Sequence, residues 1–415
     1  MRQIWASFLF FLLLCSGLLS SCGEENSSSK LHDEKENINE EKAKQQAYLL
    51  PRQDPSCTWE KAPFQLGSAV QVWVYDSGTK PIQRQVNMEG FSGKGLSSTL
   101  VRGVNIGAHG KSSQSGGELF YSSLGVQLPI CQAQGGYELN SQENTGLVLA
   151  YVTHQTMHFN RIFDLSSHPN AIQIYLQPLF WKHQTQSVLM DNALHVGHQA
   201  ELFFLPHSHK YLQPKYNNVP YYHNFMAIGH EITHNIFHNL ILRKKEQENT
   251  PTPRLFISAL DEALADLVGH IYWYRPHFSL SPDRDLFSFM TEAFLPKKIT
   301  KVTIQYLESK SLDPHIMGGH LAYGFYQLLI KGVRKNDVQS QIKMIFYYLH
   351  QLRDLSWEMN GGDFLAQVIE LFADLLAADQ GGLYESQCAV LHEVFPFFIS
   401  AERASTLQGW GCAAL

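Results

Sequence analysis

The pentapeptide at residues 230–234 constrains the fold of this chain more than any other stretch. It reads His230, Glu231, Ile232, Thr233, His234. On a helix, residues four apart lie one turn above each other on the same face, so both imidazoles can reach one metal ion. Glu231 follows the first histidine and can take a proton from a metal-bound water. Such a string arises by chance in roughly one such chain in twenty, so a third ligand is needed.

A second segment, residues 260–269, supplies a candidate for the third ligand. Apolar residues recur along it at helical spacing, namely Leu260, Leu264, Leu267 and Val268. Glu262 and Asp266 lie one turn apart on this predicted helix. Glu262 fits as a third zinc ligand that leaves a fourth position for water, and Asp266 can accept a hydrogen bond from a ligating histidine. The alternative is an amphipathic helix with a solvated acidic face.

Three segments, met in this order along the chain, resemble the zinc motifs of the thermolysin family of metallopeptidases, the gluzincins. Residues 227–235 resemble the first motif of that family. Residues 258–266 resemble its second motif, in which the glutamate binds zinc and the aspartate supports a histidine ligand. Residues 314–326 resemble its third motif, which carries a histidine that stabilises the transition state. The resemblance implies an endopeptidase that hydrolyses peptide bonds with a metal-activated water.

The resemblance also implies a role for each matched side chain. One Zn²⁺ ion is expected on His230, His234 and Glu262, with Glu231 as the general base. His315 is expected to donate a hydrogen bond to the oxyanion on the tetrahedral carbon. For His315, the alternative is a histidine that caps the start of a helix.

Two further pairs of residues follow from the same resemblance. Asp266 is expected to support a ligating histidine, and Asp313 is assigned to orient the oxyanion histidine. Residues 191–197 resemble the edge strand along which the family binds its peptide substrate, with the Asn192 side chain and the Ala193 backbone as contacts. The alternative for this segment is an ordinary turn that leads into a strand.

The expected fold is α+β and thermolysin-like. Alternating residues at 70–75 and the apolar run 172–176 predict strands, and a helix is predicted through Val148 and Phe163. We expect a β-rich N-terminal lobe at 51–240 that ends in the zinc helix. An all-helical C-terminal lobe is expected at 241–415, where two apolar series recur at helical spacing. These series are Ile342, Ile345, Phe346, Leu349 and Leu352, and Phe364, Val368, Leu371 and Leu375.

Several groups of the family have no counterpart here. The tyrosine ahead of the second motif and the arginine that binds a substrate carbonyl are missing, and acids that would bind calcium are not recognisable. Two alternatives therefore stay open. One is a non-catalytic lipoprotein that retains the fold as a binding or scaffold module, and the other is a zinc hydrolase that acts on a cell-wall amide.

The N-terminus predicts export and membrane attachment. An apolar run follows Met1 and Arg2 and ends in small residues, so residues 1–21 are predicted to be a signal peptide. The segment ending at Cys22 resembles a bacterial lipobox, which implies lipidation of Cys22 and a membrane anchor in the cell envelope. Gly23 follows this cysteine, and by resemblance to lipoprotein sorting rules it implies the outer membrane. Residues 22–50 are predicted to be a flexible acidic tether.

Charge and cysteines limit the remaining possibilities. The net charge of −6 gives no indication of a nucleic-acid partner, and the expected partner is a peptide or protein substrate of a monomeric enzyme. Four cysteines remain after residue 22, an even number in an exported chain, and they allow three pairings. We favour Cys57–Cys131 and Cys388–Cys412, because each pair lies in one region. Free buried thiols are the alternative.

Overall fold

The computed structural model describes the chain over a defined set of ranges. These are 48–49, 54–74, 81–112, 119–132, 136–163, 171–182, 188–189, 192–196, 200–208, 221–223, 225–248, 254–273, 299–300, 304–305, 314–332, 337–357 and 360–412. The predicted signal peptide, the predicted lipidation site Cys22 and the predicted residue Asp313 lie outside them.

Strands of the described residues all belong to the first half of the chain. They are β1 (Tyr48–Leu49), β2 (Val70–Val74), β3 (Ile82–Val86), β4 (Val101–Ile106), β5 (His109–Ser112), β6 (Leu119–Ser123), β7 (Val126–Gln127), β8 (Ile172–Leu176), β9 (Leu179–Lys182), β10 (Ala193–Val196), β11 (Glu201–Phe204) and β12 (His207–Ser208). The predicted strands at 70–75 and 172–176 are thus present as β2 and β8.

The main sheet has five strands in the order β10-β11-β8-β4-β7. Strands β11, β8 and β4 run parallel, whereas β7 is antiparallel to β4. All five residues of β8 are buried, as expected for a central strand covered on both faces. Strand β10 is the edge of this sheet.

A second sheet has the order β6-β5-β9, with β5 and β9 parallel. The parallel pair β4 and β8 therefore leaves the first sheet and re-pairs as β5 and β9 in the second. Both crossings turn sharply through a residue with positive φ, Gly107 (φ 73°) after β4 and Gln177 (φ 48°) after β8. Glycine adopts this conformation readily, whereas a glutamine there is uncommon.

Helices dominate the second half of the chain. The first helix, α1 (Gln142–Phe163), lies in the first half of the chain. The others described are α2 (Phe225–Phe237), α3 (Arg243–Gln247), α4 (Arg254–Val268), α5 (Pro314–Ile330), α6 (Val338–Asp354), α7 (Gly361–Gln380), α8 (Glu385–Val394) and α9 (Ala404–Gly409). Two π-helical turns extend the helices that carry the first two motifs, His238–Leu242 after α2 and Gly269–Trp273 after α4. The order of sheets, motif helix and helical region confirms the α+β class.

The chain divides into two compact units. The first comprises Met1–His154, Ala171–His195 and Ala200–Asn224, and the second comprises Gln155–Asn170, Val196–Gln199 and Phe225–Leu415. In the first unit, the start of α1 is hydrogen-bonded to β2. The Asn144 side chain accepts a hydrogen bond from Trp73 N at 2.7 Å and donates one to Trp73 O at 3.0 Å.

Aromatic packing forms the core of the second unit. Phe325 of α5, Tyr348 of α6 and Phe372 of α7 are buried and in ring contact with one another. The predicted apolar series on α6 is fully buried. The series on α7 is predicted less well, because Leu371 and Leu375 are half-buried while their neighbours Phe372 and Leu376 are buried.

Two disulfides close loops within the units, as predicted. Cys57–Cys131 lies in the first unit and Cys388–Cys412 in the second. Disulfides persist in oxidising compartments, so both bonds are consistent with an exported chain. Among the described residues, no helix is long and apolar enough to cross a membrane.

Candidate metal centre

Helix α2 carries the first two candidate ligands. All thirteen of its residues are buried, so the polar side chains on it need partners inside the protein. His230 and His234 lie one turn apart, and their Nε2 atoms are 2.9 Å from each other. The two imidazoles therefore point at one place, as the HExxH spacing predicts.

Helix α4 brings the third candidate ligand to the same place. Oε2 of Glu262 lies 3.6 Å from Nε2 of His230 and 3.6 Å from Nε2 of His234. The three side chains are buried, and their ligand atoms all lie within 4.8 Å of one another. The structure thus places together the three residues that the sequence analysis assigns to zinc.

The spacing of these atoms suits a tetrahedral cation. Zinc binds nitrogen and oxygen at about 2.0–2.1 Å, so two of its ligand atoms are separated by about 3.3 Å. The three separations here, 2.9, 3.6 and 3.6 Å, lie on either side of that value. The donor set of two imidazoles and one carboxylate is also one that zinc prefers in hydrolytic sites.

Two aspartates of α4 hold the outer nitrogens of the histidines. Oδ1 of Asp266 lies 3.0 Å from Nδ1 of His230, and Oδ1 of Asp261 lies 2.8 Å from Nδ1 of His234. A proton on each Nδ1 then donates to a carboxylate and leaves the Nε2 lone pair for a cation. Asp266 is predicted for this contact from the sequence, whereas Asp261 is not. Its position directly before the ligand Glu262 is the signal that could have pointed to it.

The three ligand residues titrate as a group in the metal-free protein. Burial lowers the pKa of His230, and the neighbouring His234 lowers it further. Burial also opposes a charge on His234, but Asp261 and Glu262 outweigh it and raise the pKa of His234 well above its ordinary value. Burial would raise the pKa of Glu262, yet His234 and His315 hold it well below the usual range. The site therefore holds a proton on His234, close to where a cation would bind.

Glu231, the predicted general base, is buried beside the ligands. Burial raises the pKa of its carboxyl to about 8, and this shift is opposed by His234 and reinforced by Glu262 and Asp261. A carboxyl with a pKa near neutrality can exchange a proton under physiological conditions. Glu231 can therefore take up or release a proton near neutral pH in the metal-free site.

Helix α5 places His315 against the same cluster. Nε2 of His315 lies 3.2 Å from Oε1 of Glu262. The predicted oxyanion donor therefore contacts the third candidate ligand directly. Its proposed orienting partner Asp313 lies outside the described residues.

Two glycines let the helices approach closely enough to form the cluster. A Cβ at Gly318 of α5 would lie 2.6 Å from Cβ of Glu262, and one at Gly269 would lie 2.8 Å from the carbonyl oxygen of Met226 on α2. Real Cβ atoms do not approach other atoms this closely, so any larger residue at either position would push two helices apart. The absence of a side chain at these two positions is a condition for the geometry of the site.

The predicted substrate contacts Asn192 and Ala193 lie in the first unit. Ala193 begins β10, the edge strand of the five-stranded sheet. The Asn192 side chain accepts a hydrogen bond from Ala193 N at 2.8 Å, and its backbone carbonyl accepts one from Leu205 N at 2.9 Å. Substrate binding by these two residues stays a prediction.

No protein-family model matches the chain, and no curated protein matches it. The interpretation of the site therefore depends on its own geometry and on the motifs that form it.

Proposed function

We propose that this chain is a zinc-dependent endopeptidase of the thermolysin type. The observation that carries the proposal is the convergence of His230, His234 and Glu262 from two helices, with the buried carboxyl of Glu231 beside them. An ordinary acidic helix face would be solvated, whereas the candidate ligands of α4 are buried against imidazoles. A structural zinc site would have four protein ligands, whereas the group within the described part of the chain has three.

The residues divide the chemistry among themselves. A bound zinc ion would supply Lewis acidity, lowering the pKa of a water and polarising a peptide carbonyl. Glu231 accepts a proton from the attacking water and returns it to the departing amine. Asp261 and Asp266 keep the imidazoles of His234 and His230 in the tautomer that offers Nε2 inward.

Substitution of Glu231 by Gln tests this function. The amide is close in size to the carboxyl but cannot accept the proton, so the variant should bind one zinc ion per chain and lose cleavage by at least about a hundredfold. Cleavage of a casein substrate by the unmodified chain should stop with a chelator and return with zinc. Zinc binding without any cleavage of peptides would instead favour the non-catalytic binding module. Undiminished activity of Glu231→Gln would remove Glu231 from its role.

The cellular setting is part of the same proposal. We place the enzyme in the bacterial cell envelope, anchored to the outer membrane through lipid on Cys22 and acting as a monomer on peptide or protein substrates laid along β10 at Asn192 and Ala193. The two disulfides support an oxidising compartment. Metabolic labelling with a radioactive fatty acid should mark the chain and fail with Cys22→Ser.

A further inference from the structure

The two oxygens of the Glu262 carboxylate have different neighbours. Oε2 lies 3.6 Å from Nε2 of both His230 and His234, where a cation would bind. Oε1 lies 3.2 Å from Nε2 of His315, a close contact between the imidazole and the carboxylate. His315 therefore occupies one oxygen of the ligand while the other remains directed at the imidazole pair.

Such a division decides how a carboxylate binds a cation. A free carboxylate can bind through one oxygen or through both, and binding through both fills a position that a hydrolytic site needs for water. A polar group held against one oxygen fixes the orientation of the carboxylate and favours binding through the other. The two histidines are oriented in the same way, because Asp266 contacts Nδ1 of His230 and Asp261 contacts Nδ1 of His234, and each Nε2 is left for the cation.

Packing of α5 on α4 makes this contact a fixed feature. Gly318 lies one helical turn beyond His315, and the absent Cβ would stand 2.6 Å from Cβ of Glu262 and 2.9 Å from the carbonyl oxygen of Ala259. His315 and Glu262 are both buried. The backbone of α5 thus lies directly against the base of the Glu262 side chain, and His315 is placed over its end.

We infer that His315 is a positioning residue for Glu262, which it holds so that only Oε2 is offered to the metal ion. This role builds on the proposed zinc site and differs from donation to the oxyanion of the substrate. It has a consequence that an oxyanion donor would not have: the affinity for the metal itself depends on His315. Partners that orient metal ligands typically contribute about ten- to a hundredfold to affinity.

Two substitutions of similar size separate the roles. Gln at position 315 retains an N–H donor, whereas Met at 315 fills similar space without a donor. Zinc affinity of the purified chain, measured by competition with a chromogenic chelator, should fall about ten- to a hundredfold in His315→Met. It should stay much closer to the unmodified value in His315→Gln. Cobalt in place of zinc should show a changed visible absorption spectrum in His315→Met, which a loss of folding elsewhere would not produce.

A double-mutant cycle assigns the effect to Glu262. In a Glu262→Ala background, Met and Gln at position 315 should give equal metal affinities, because the carboxylate to be positioned is gone. His350→Gln is a matched control, since His350 is another buried histidine of the second unit that contacts Asn160 instead. Its substitution should leave metal affinity unchanged.

The outcomes distinguish this inference from the proposed function. Tight zinc binding by the unmodified chain with equal affinity in His315→Met and His315→Gln would overturn the positioning role and leave the zinc site intact. Failure of the unmodified chain to bind zinc would overturn the zinc site itself. A loss of cleavage in His315→Met at unchanged zinc affinity would assign His315 to the substrate instead.

Discussion

The two units of this protein bury carboxylates in opposite ways. In the first unit, the half-buried Glu201 accepts hydrogen bonds from the hydroxyls of Tyr121 at 2.9 Å and Tyr175 at 3.2 Å. Both tyrosine rings stack on Phe203, and burial together with Glu201 raises the pKa of Tyr175 to about 12. Two neutral hydroxyl donors satisfy this carboxylate.

The second unit assembles more charge than its own residues balance. Four acids, Glu231, Asp261, Glu262 and Asp266, are buried together with the imidazoles of His230, His234 and His315. Buried charges are costly unless they are paired or coordinate a metal. In the metal-free protein the raised pKa values of Glu231 and His234 retain protons in the cluster. The first cluster is satisfied by hydroxyl donors, whereas the second contains a buried His/His/Glu group that could hold a metal ion.

The largest effect on zinc affinity is expected from removal of one of the three candidate ligands. Structural zinc sites bind with about 10–16 kcal/mol in total, and on that scale the loss of one protein ligand costs roughly 4 kcal/mol, or about a thousandfold in affinity. His234→Ala should therefore lose zinc binding by about that factor in a chelator competition. Tyr121→Phe is the control from the other cluster and should bind zinc normally. A His234→Ala protein with undiminished affinity would show that the ion binds elsewhere.

The second-largest effect on zinc affinity is expected from Asp261, whose role is not predicted from the sequence. Asp261→Ala removes the acceptor for Nδ1 of His234 and should weaken zinc binding about ten- to a hundredfold. Asp261→Asn retains an acceptor oxygen at the same distance and should lose less. The measurement is isothermal titration of the metal-free variants with zinc. Equal losses in the two variants would mean that the charge of Asp261, and not its hydrogen bond, matters.

Zinc affinity should also depend on pH in a direction set by His234. Its pKa is raised well above the ordinary value by Asp261 and Glu262. A cation must displace the proton that His234 holds below that raised pKa, so affinity falls as pH falls, by about tenfold per pH unit for each proton released. Competition assays across the neutral range should show this slope, and Asp261→Asn should flatten it. An affinity that is independent of pH would contradict the protonated state of the metal-free site.

The smallest effect is expected in the first unit. Tyr121→Phe removes one hydrogen bond to Glu201 while Tyr175 remains a donor. The free energy of unfolding should fall by about 1–2 kcal/mol, because the carboxylate stays partly satisfied. Chemical denaturation measures this loss, and zinc affinity should not change. A Tyr121→Phe protein that loses metal binding would show that the two clusters are coupled and do not act independently.

Local patterns in the sequence predicted more of the site than of its surroundings. The HExxH spacing predicts that His230 and His234 share one face of a helix, because helical periodicity acts within a few residues. Their convergence with Glu262 is predicted from the resemblance of the motifs to those of the thermolysin family. Asp261 escaped prediction, since its role depends on how α2 and α4 cross and not on its own helix. The contact of His315 with Glu262 was missed for the same reason, and it depends on the close approach that Gly318 permits.

The main sheet shows a similar limit. Alternation and apolar runs predicted β2 and β8 as strands, but the shift of β4 and β8 into β5 and β9 at Gly107 and Gln177 was not predicted. Strand pairing joins residues far apart in the chain, and a single backbone conformation at a crossing decides which sheet they enter. No local pattern reports that choice.

The amino-acid sequence by itself determined which side chains can bind a cation and which helix each occupies, because ligand chemistry and helical spacing are properties of short segments. Only the tertiary structure decided that Asp261 holds His234, that His315 holds one oxygen of Glu262, and that four acids share one buried cluster. The physical reason is that these contacts arise between separate helices, where distances depend on packing and on the two glycines that permit it.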